Sequence, residues 1–312
     1  MIMNNTFIES IDSLKIEDLG DAKKEKKSVI GFILGNIRYV ILLVCVAVLA
    51  VSLISIVKSL VGYSKAGEIY NDISVSEEGA VLSMFSSVKS PYTPCYAACQ
   101  VLTDSEITDI SGSSKVNRDF EIMRNKLYQL QLKYPDTYGW ISIPGTNIEY
   151  PIMQSDDNSY YLDHSYNGAK LPAGAIFADY RNSRTLVDNY NLVLYGHHMT
   201  ANLMFHSLDK YRSESFFSEN NKIIIYTLDG MYTYEICSVY ETDKYYDYIR
   251  TYFSSPDSFV IWATEMISNS IHETDKKATE HDRILTLSTC TNRGSDGRLC
   301  VQAIMVKHYS AN

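Results

Sequence analysis

A cysteine and a histidine stand at the ends of two strand-like segments, where they could take part in acyl transfer. Cys290 closes the segment ILTLSTC and precedes a polar loop that contains Gly294. His197 follows the segment NLVLY and Gly196. Strand ends hold side chains rigidly, while the adjoining loops leave access for a substrate. The pattern therefore predicts that both groups lie at accessible edges of a β structure.

The chemistry of these two groups needs a third partner. A thiol is only partly ionised near neutral pH, so a nearby imidazole assists its attack and later protonates a leaving amine. Acyl transfer also requires a cation or hydrogen-bond donors where the carbonyl oxygen becomes an oxyanion. Arg298 stands eight residues after Cys290, across one loop, and can reach back to the same place. Cys290, His197 and Arg298 would then suffice for thioester chemistry without a metal.

Each of these residues also has a simpler interpretation. A cysteine at a strand end is usually a small packed residue, a loop histidine usually lies at the surface, and an arginine that opens a strand usually faces water. The joint occurrence of YGHH and TLSTC with the following GR, behind an apolar segment, favours catalysis.

The apolar segment runs from Tyr39 to Val57, 19 residues without a charge. A helix needs about 20 apolar residues to cross the hydrocarbon core of a membrane. A cleaved signal peptide fits less well, because its apolar core is usually roughly 7–15 residues long. We expect a transmembrane helix over residues 39–57, and a buried helix is the remaining alternative.

Charge predicts the orientation of this helix. Basic residues cluster before it, at positions 23, 24, 26, 27 and 38, whereas Lys58 and Lys65 are the nearest ones after it. By the positive-inside rule, residues 1–38 are cytoplasmic and the remainder is extracellular. The net charge is −9, which argues against the basic surface of a nucleic-acid-binding protein.

The segments after the apolar run differ in pattern. Residues 58–114 are Ser-rich and weakly patterned, and we expect an extracellular stalk. Residues 115–312 are expected to form the catalytic domain, which begins with an amphipathic helix from Lys115 to Lys133 that ends at Tyr134-Pro135. Its apolar positions are Phe120, Met123, Leu127 and Leu130.

The rest of this domain is mainly β, with about eight short strands that favour a barrel or a sandwich. Asp229-Gly230 between two β-rich segments predicts a hairpin. One helix interrupts the strands, with Ser255 as its cap and Pro256 in its first turn. Its apolar face comprises Phe259, Trp262, Ala263, Met266 and Ile267.

These motifs and their order resemble the sortases, most closely those of class B, over about Lys115 to Tyr309. The inserted helix, from Pro256 to about Asn269, and the helix before the barrel are similar to class B features. The resemblance implies a closed β-barrel with no cofactor. It also implies that Cys290 attacks a threonine carbonyl in the C-terminal sorting signal of a secreted protein and forms a thioester. His197 would protonate the leaving amine, Arg298 would stabilise the oxyanion, and an amine of a peptidoglycan precursor would accept the acyl group.

The resemblance also suggests a substrate groove. Asn158 and Leu162 match the family's sorting-signal groove, Ser288 resembles the hydroxyl beside the nucleophile, and Tyr248 and Ile249 would line the opposite wall. The alternatives are loop capping for Asn158, core packing for Leu162 and strand-end hydrogen bonding for Ser288.

Two further histidines compete with His197. His198 stands where class B sortases often have asparagine, but neighbours on a strand face opposite sides, so it is expected to point away. Asp163 and His164 form a second acid and imidazole pair. We expect these two side chains to diverge and to lie at the surface.

The six cysteines show no disulfide framework or paired zinc motif. Cys237 and Cys300 are expected to be small buried residues, whereas a pairing or metal role for Cys95 and Cys99 stays open. A regulatory disulfide between Cys290 and Cys300 carries little weight. No cluster of cysteine, histidine and carboxylate at ligand spacing is apparent, so no metal site is expected.

Two other functions stay open. A hydrolytic cysteine peptidase would use the same groups with water as the acceptor. A non-catalytic, membrane-tethered barrel would bind a wall component or a protein and use Cys290 only structurally.

Overall fold

The computed structural model of the protein describes residues 35–75, 111–199, 202–290 and 296–310. The helices are α1 (Ile37–Val75), α2 (Ser111–Lys133), α3 (Glu214–Glu219) and α4 (Pro256–Ser268). The strands are β1 (Thr137–Ile143), β2 (Ile148–Met153), β3 (Ile176–Ala178), β4 (Asn191–Tyr195), β5 (His198–Met199), β6 (Leu203–Met204), β7 (Lys222–Tyr226), β8 (Gly230–Asp243), β9 (Ile284–Cys290) and β10 (Gly297–Ser310). Three 3-10 helices cover Tyr160–Leu162, Leu186–Asp188 and His206–Arg212.

Eight strands close into a barrel in the order β1-β2-β3-β4-β9-β10-β8-β7, and β7 pairs with β1. The β2–β3 and β4–β9 pairs are parallel, and the other pairs are antiparallel. Closure leaves no sheet edge open. This confirms the predicted closed barrel of eight strands. The two-stranded sheet of β5 and β6 was not predicted.

The barrel is filled by one face of each strand. In β7, Ile223 and Ile225 are fully buried, whereas Lys222, the first residue of the strand, is exposed. Trp140 and Tyr234 are among the largest buried side chains of the core. Alternation with a period of two is what a strand with one buried face requires. The short strands read from the sequence therefore meet around a single apolar interior.

A second apolar cluster lies between α4 and the barrel strands. It contains the predicted apolar face of α4 together with Cys237, Tyr240 and Cys300. The Ser255 side chain accepts a hydrogen bond from the Ser258 amide at 3.2 Å, which confirms the predicted cap. Burial raises the pKa of the Cys237 thiol to about 12. The expectation that Cys237 and Cys300 are buried small residues is confirmed.

Helix α2 precedes the first strand, and its contacts agree with its apolar pattern. Phe120 and Leu127 are buried, and Met123 and Leu130 are partly buried against the core. The Phe120 ring meets that of Tyr309 edge to face, with centroids 5.4 Å apart. The helix begins at Ser111, four residues before the predicted Lys115.

Helix α1 is longer than the predicted span. Among the described residues, one stretch, Tyr39–Tyr70, is long and apolar enough to cross a membrane. The chain divides after Val61 into two units. Within the second unit, Ala66 and Tyr70 are buried, and the Tyr70 hydroxyl donates a hydrogen bond to the Gly174 carbonyl at 2.7 Å.

The stalk predicted over residues 58–114 thus begins with helix as far as Val75. Its continuation over residues 76–110 lies outside the described residues, and so do Cys95 and Cys99.

Candidate active site

The register of three neighbouring strands brings the predicted catalytic residues to one edge of the barrel. In the parallel β4–β9 pair, Tyr195 lies opposite Ser288, and the Gly196 amide donates to the Ser288 carbonyl at 3.2 Å. Two residues further along each chain come His197 and Cys290. In the antiparallel β9–β10 pair, Arg298 lies directly opposite Cys290. Parallel strands end at the same edge, which is why residues 93 positions apart in the chain become neighbours.

Gly196 allows the chain to pass closely over the core before it reaches His197. A Cβ at this position would overlap Ile176 and would come within 2.7 Å of Phe205. The Phe205 amide donates to the His197 carbonyl at 3.0 Å. The backbone of His197 is therefore held by its neighbours on both sides.

The His197 imidazole is oriented by a backbone carbonyl. Its Nε2 lies 2.6 Å from the carbonyl oxygen of Leu162. Since a carbonyl oxygen only accepts hydrogen bonds, Nε2 carries the proton in this contact, and Nδ1 is left to exchange a proton with substrate. Leu162 ends a 3-10 helix and is 44% exposed. Its exposure argues against core packing as the reason for a leucine at this position.

His198 faces elsewhere. Its Nε2 lies 2.5 Å from Oδ2 of Asp209, and its side chain is only 10% exposed. The two adjacent imidazoles thus have separate partners. This separation favours His197 as the group beside the nucleophile.

A buried hydroxyl pair joins β9 to the loop between β8 and α4. The Ser288 Oγ lies 2.9 Å from the Tyr248 hydroxyl, and both residues are buried. Ser288 stands two positions before Cys290 and so belongs to the same face of β9. The loop between β8 and α4, which carries Tyr248 and Ile249, therefore borders the face of β9 to which residue 290 belongs.

A buried carboxylate connects the segments that carry the predicted substrate residues, and sequence reasoning missed it. Asp179 is fully buried and accepts hydrogen bonds from Arg181 Nε at 2.8 Å and Nη2 at 2.7 Å. It also accepts from the Tyr195 hydroxyl at 2.8 Å and from Asn158 Nδ2 at 3.0 Å. Arg181 Nη2 donates in turn to the Ile249 carbonyl at 3.0 Å. One available signal was a charged residue directly after the apolar segment AGAIFA.

These contacts give Asn158 a structural role. Its amide nitrogen bonds Asp179, and its Oδ1 accepts from the Tyr180 amide at 3.0 Å. This agrees with the loop-capping alternative and ties the loop to the end of β3. A direct contact of Asn158 with substrate stays a prediction.

Replacing Asp179 by Asn should destabilise the fold by about 3 kcal/mol, because it removes the charge that Arg181 and Tyr195 surround. Burial by itself would raise the pKa of the Asp179 carboxyl, but the hydrogen bonds from Arg181 and Tyr195 outweigh it and lower that pKa. A lowered folded-state pKa stabilises the fold above the unfolded value of about 3.9, and this contribution is lost as the pH falls through the folded pKa.

Urea unfolding at pH 7 and in the acid range below pH 4 would measure this effect. The difference in unfolding free energy between wild type and Asp179→Asn should shrink in acid. Asp163→Asn is the matched control, because the Asp163 side chain is 49% exposed, and it should change stability by less than about 0.5 kcal/mol. Equal effects of the two substitutions would contradict the role of Asp179.

The expectation that Asp163 and His164 diverge is wrong. The His164 Nδ1 lies 2.7 Å from Asp163 Oδ1, and its ring stacks on Tyr160 with centroids 4.2 Å apart. Both residues follow a 3-10 helix and not an extended strand, so strand alternation does not apply. Both residues lie at the surface, and neither side chain is a partner of the His197 imidazole.

The register of β9 with β10 also bears on the possible regulatory disulfide between Cys290 and Cys300. Cys300 lies opposite Ser288 and not opposite Cys290, and it is a free, fully buried thiol.

The structure does assemble one group of possible metal ligands. His198, His206 and Asp209 each offer a ligand atom, and these atoms lie within 4.8 Å of one another. The sequence showed no such cluster, and the expectation that the chain has no metal site stays a prediction. The residues are spread over two elements, which hid the grouping in the sequence.

Comparisons with known proteins agree with this architecture. Residues 141–306 match the family model of the sortase domain. The chain is 35% identical to sortase B of Listeria monocytogenes over 208 residues, which cover 66% of this chain and 84% of that protein. The crystal structure of Clostridium perfringens sortase B matches with a TM-score of 0.55 and 34% identity over 58% of this chain and 99% of that one. A Staphylococcus aureus sortase B–substrate complex matches with a TM-score of 0.55 and 29% identity over 64% and 99%.

Proposed function

Since the chain belongs to the sortase family, whose members are cysteine transpeptidases, we propose that it cleaves a sorting signal and joins the acyl part to a cell-wall amine. The observation that carries this proposal is the strand register that gathers His197, Cys290 and Arg298 at one edge of the barrel. The relatives of this chain described above are class B sortases, which favours the attachment of a small, dedicated set of proteins over the anchoring of many proteins.

The first half-reaction forms a thioester. The Cys290 thiolate attacks the carbonyl carbon of a threonine in the signal, and Arg298 stabilises the oxyanion that develops. The carbon–nitrogen bond then breaks, and His197 gives its proton to the leaving amine. The acyl group stays on sulfur.

The second half-reaction transfers the acyl group. An amine of a peptidoglycan precursor attacks the thioester and gives up a proton to His197. The carbon–sulfur bond breaks, and the thiolate leaves as it entered. The hydrogen bond from His197 Nε2 to the Leu162 carbonyl keeps the imidazole in one orientation through both steps.

The substrate groove in this proposal is bordered by Asn158, Leu162, Ser288, Tyr248 and Ile249. The exposed Leu162 side chain offers an apolar contact on one side. The Ser288–Tyr248 hydroxyl pair offers hydrogen-bonding groups on the other. The Asp179 network supports this arrangement because it holds the Asn158 loop and the Ile249 carbonyl together.

The proposed location is the cell surface. Helix α1 would cross the membrane once, with residues 1–38 in the cytoplasm, by the positive-inside rule. The catalytic domain would then meet secreted proteins and lipid-linked wall precursors outside the cell.

Mass spectrometry of the full-length protein in detergent tests this proposal. The protein is incubated with a library of threonine-containing sorting-signal peptides, with and without a wall-type amine. We expect an acyl adduct on Cys290 that moves to the added amine. Cleavage whose product stays hydrolysed despite the amine would indicate a cysteine peptidase. No adduct and no cleavage with any peptide would favour a non-catalytic binding barrel.

Arg298→Met should lower kcat by about 10²- to 10³-fold, because it removes the cation beside the developing oxyanion. Arg298→Lys keeps the charge but loses the planar donor fork, so it should recover only part of the rate. Peptide cleavage kinetics would give kcat and KM separately. Arg124→Met on α2, whose side chain is 39% exposed, is the matched control and should keep the wild-type rate. A loss confined to KM would assign Arg298 to substrate binding alone.

A further inference from the structure

The two histidines and the carboxylate of the cluster come from adjacent elements beside the candidate active site. His198 belongs to β5, whereas His206 and Asp209 lie three residues apart in the 3-10 helix His206–Arg212. Side chains three residues apart lie on the same face of such a helix. The rings of His198 and His206 have centroids 4.5 Å apart. The three side chains therefore converge on one point between the hairpin and the helix.

Residues 202–207, at the start of the 3-10 helix, make contacts that position His206. Asn202 and Met204 have positive φ angles of 61° and 55°, which non-glycine residues rarely adopt. The Ser207 hydroxyl bonds the side-chain oxygens of Asn147 and Asn202, at 2.8 and 3.1 Å. These contacts anchor the start of the 3-10 helix to the β1–β2 connection and so position His206.

One ring nitrogen of a histidine in the cluster has no hydrogen-bond partner among the described residues. The Nδ1 of His206 is shielded from solvent and makes no hydrogen bond within that part of the chain. Buried ring nitrogens are normally hydrogen-bonded, because a polar atom without a partner costs free energy. Asp209, by contrast, is oriented by Arg212, whose Nε donates to Oδ1 at 3.1 Å. Its Oδ2 faces His198.

We propose that His198, His206 and Asp209 bind one divalent transition-metal ion, with Zn²⁺ as the expected occupant. Two imidazoles and one carboxylate are a ligand set typical of zinc, with a fourth position open to another ligand. Imidazole nitrogen also favours such ions over Mg²⁺ and Ca²⁺, which prefer oxygen ligands. The Arg212–Asp209 hydrogen bond would orient the carboxylate from outside the ligand set.

Binding requires a change in the separation of the ligand atoms. Ligand atoms about 2.0–2.2 Å from a tetrahedral zinc lie about 3.4 Å from one another. The 2.5 Å contact between His198 Nε2 and Asp209 Oδ2 would therefore open by about 1 Å. The proton that the two atoms share would be released, since a ligating imidazole nitrogen is unprotonated.

This site is separate from the residues proposed for acyl transfer, but it adjoins the backbone of His197. His198 is bonded in sequence to His197, and the Phe205 amide, next to His206, holds the His197 carbonyl. A metal ion would cross-link the β5–β6 hairpin to the 3-10 helix on either side of that hydrogen bond. We expect bound zinc to stabilise the segment that carries His197.

Equilibrium dialysis and thermal unfolding of the full-length protein in detergent test the proposal, with Zn²⁺ as the probe. The measurements use a background with Cys95→Ser, Cys99→Ser and Cys290→Ser, because thiolates would themselves capture zinc. We expect one Zn²⁺ per chain and a higher Tm with the metal. The same protein with Co²⁺ should show visible absorption bands of a site with nitrogen and oxygen ligands.

Three variants in that background decide the outcome. His206→Gln and Asp209→Asn should each weaken Zn²⁺ binding at least about 10-fold and abolish the rise in Tm. His281→Gln, whose side chain is 87% exposed, should bind as the background protein does. Metal-free Tm values of the first two variants show whether they are folded. No saturable binding, or equal affinity in all the proteins, would overturn the proposal.

Discussion

Cys290→Ala is expected to abolish transpeptidation, with a loss of at least about 10⁴-fold in turnover. The sulfur is the atom to which the acyl group would be bonded, so no acyl adduct forms without it. Removal of a nucleophile costs other acyl-transfer enzymes up to about 10⁶-fold in kcat, and the residual rate reflects binding and oxyanion stabilisation alone. Mass spectrometry of peptide-treated protein would measure the loss of the acyl adduct, and chromatography of the products would measure the loss of turnover.

The control for this substitution is Cys45→Ala, since Cys45 is an exposed cysteine of α1. Its turnover should equal that of wild type. Thermal unfolding of Cys290→Ala should show a Tm close to the wild-type value, which separates loss of chemistry from loss of fold. A fully active Cys290→Ala protein would refute the proposed function, and the binding barrel would become the better interpretation.

His197→Gln is expected to lower kcat by about 10³-fold, because the leaving amine loses its proton donor and the thiol loses its base. The competing imidazole provides the sharpest comparison. His198 is committed to Asp209, so His198→Gln should cost less than about 10-fold, through its effect on the neighbouring backbone. Steady-state cleavage of a sorting-signal peptide, with zinc excluded by a chelator, would give both values.

The ratio between the two histidine variants tests the assignment directly. A loss for His198→Gln that equals or exceeds the loss for His197→Gln would transfer the acid and base role to His198. His164→Gln serves as the surface control, because the His164 imidazole contacts Asp163 and Tyr160 and not His197. It should keep the wild-type rate.

Local pattern in the sequence determined the identity of most elements. The alternating strands, the Asp229-Gly230 turn and the Ser255 cap depend on neighbouring residues, and the structure shows each of them. The same holds for the buried face of α4, whose 3.6-residue period is a property of the segment itself. The helix ends were less certain, since α1 continues to Val75 where a stalk was expected. The added part of α1 includes Tyr70, whose hydroxyl bonds the Gly174 carbonyl. No local sequence pattern encodes this contact.

The candidate catalytic residues could be selected from the sequence because each lies at or next to the end of a strand-like segment. The sequence patterns did not show that these residues lie close together. Strand order β4-β9-β10 and the parallel register of β4 with β9 place the strand ends that precede or carry His197, Cys290 and Arg298 at one edge of the barrel. Sequence patterns identify strands but do not state which strands pair. The resemblance to the sortases supplied the grouping that the residues by themselves left open.

Only the tertiary structure revealed the two polar clusters around this site. Asp179 meets Asn158 and Tyr195 from segments 21 and 16 residues away, and the His198, His206 and Asp209 cluster depends on a turn with two positive φ angles. The physical reason is the same in both cases. Hydrogen bonds and ligand contacts require atoms to meet within a few ångströms, and that distance is decided by how strands pair and loops fold back. The local sequence determines what each segment can become, and the packing of segments decides which side chains meet.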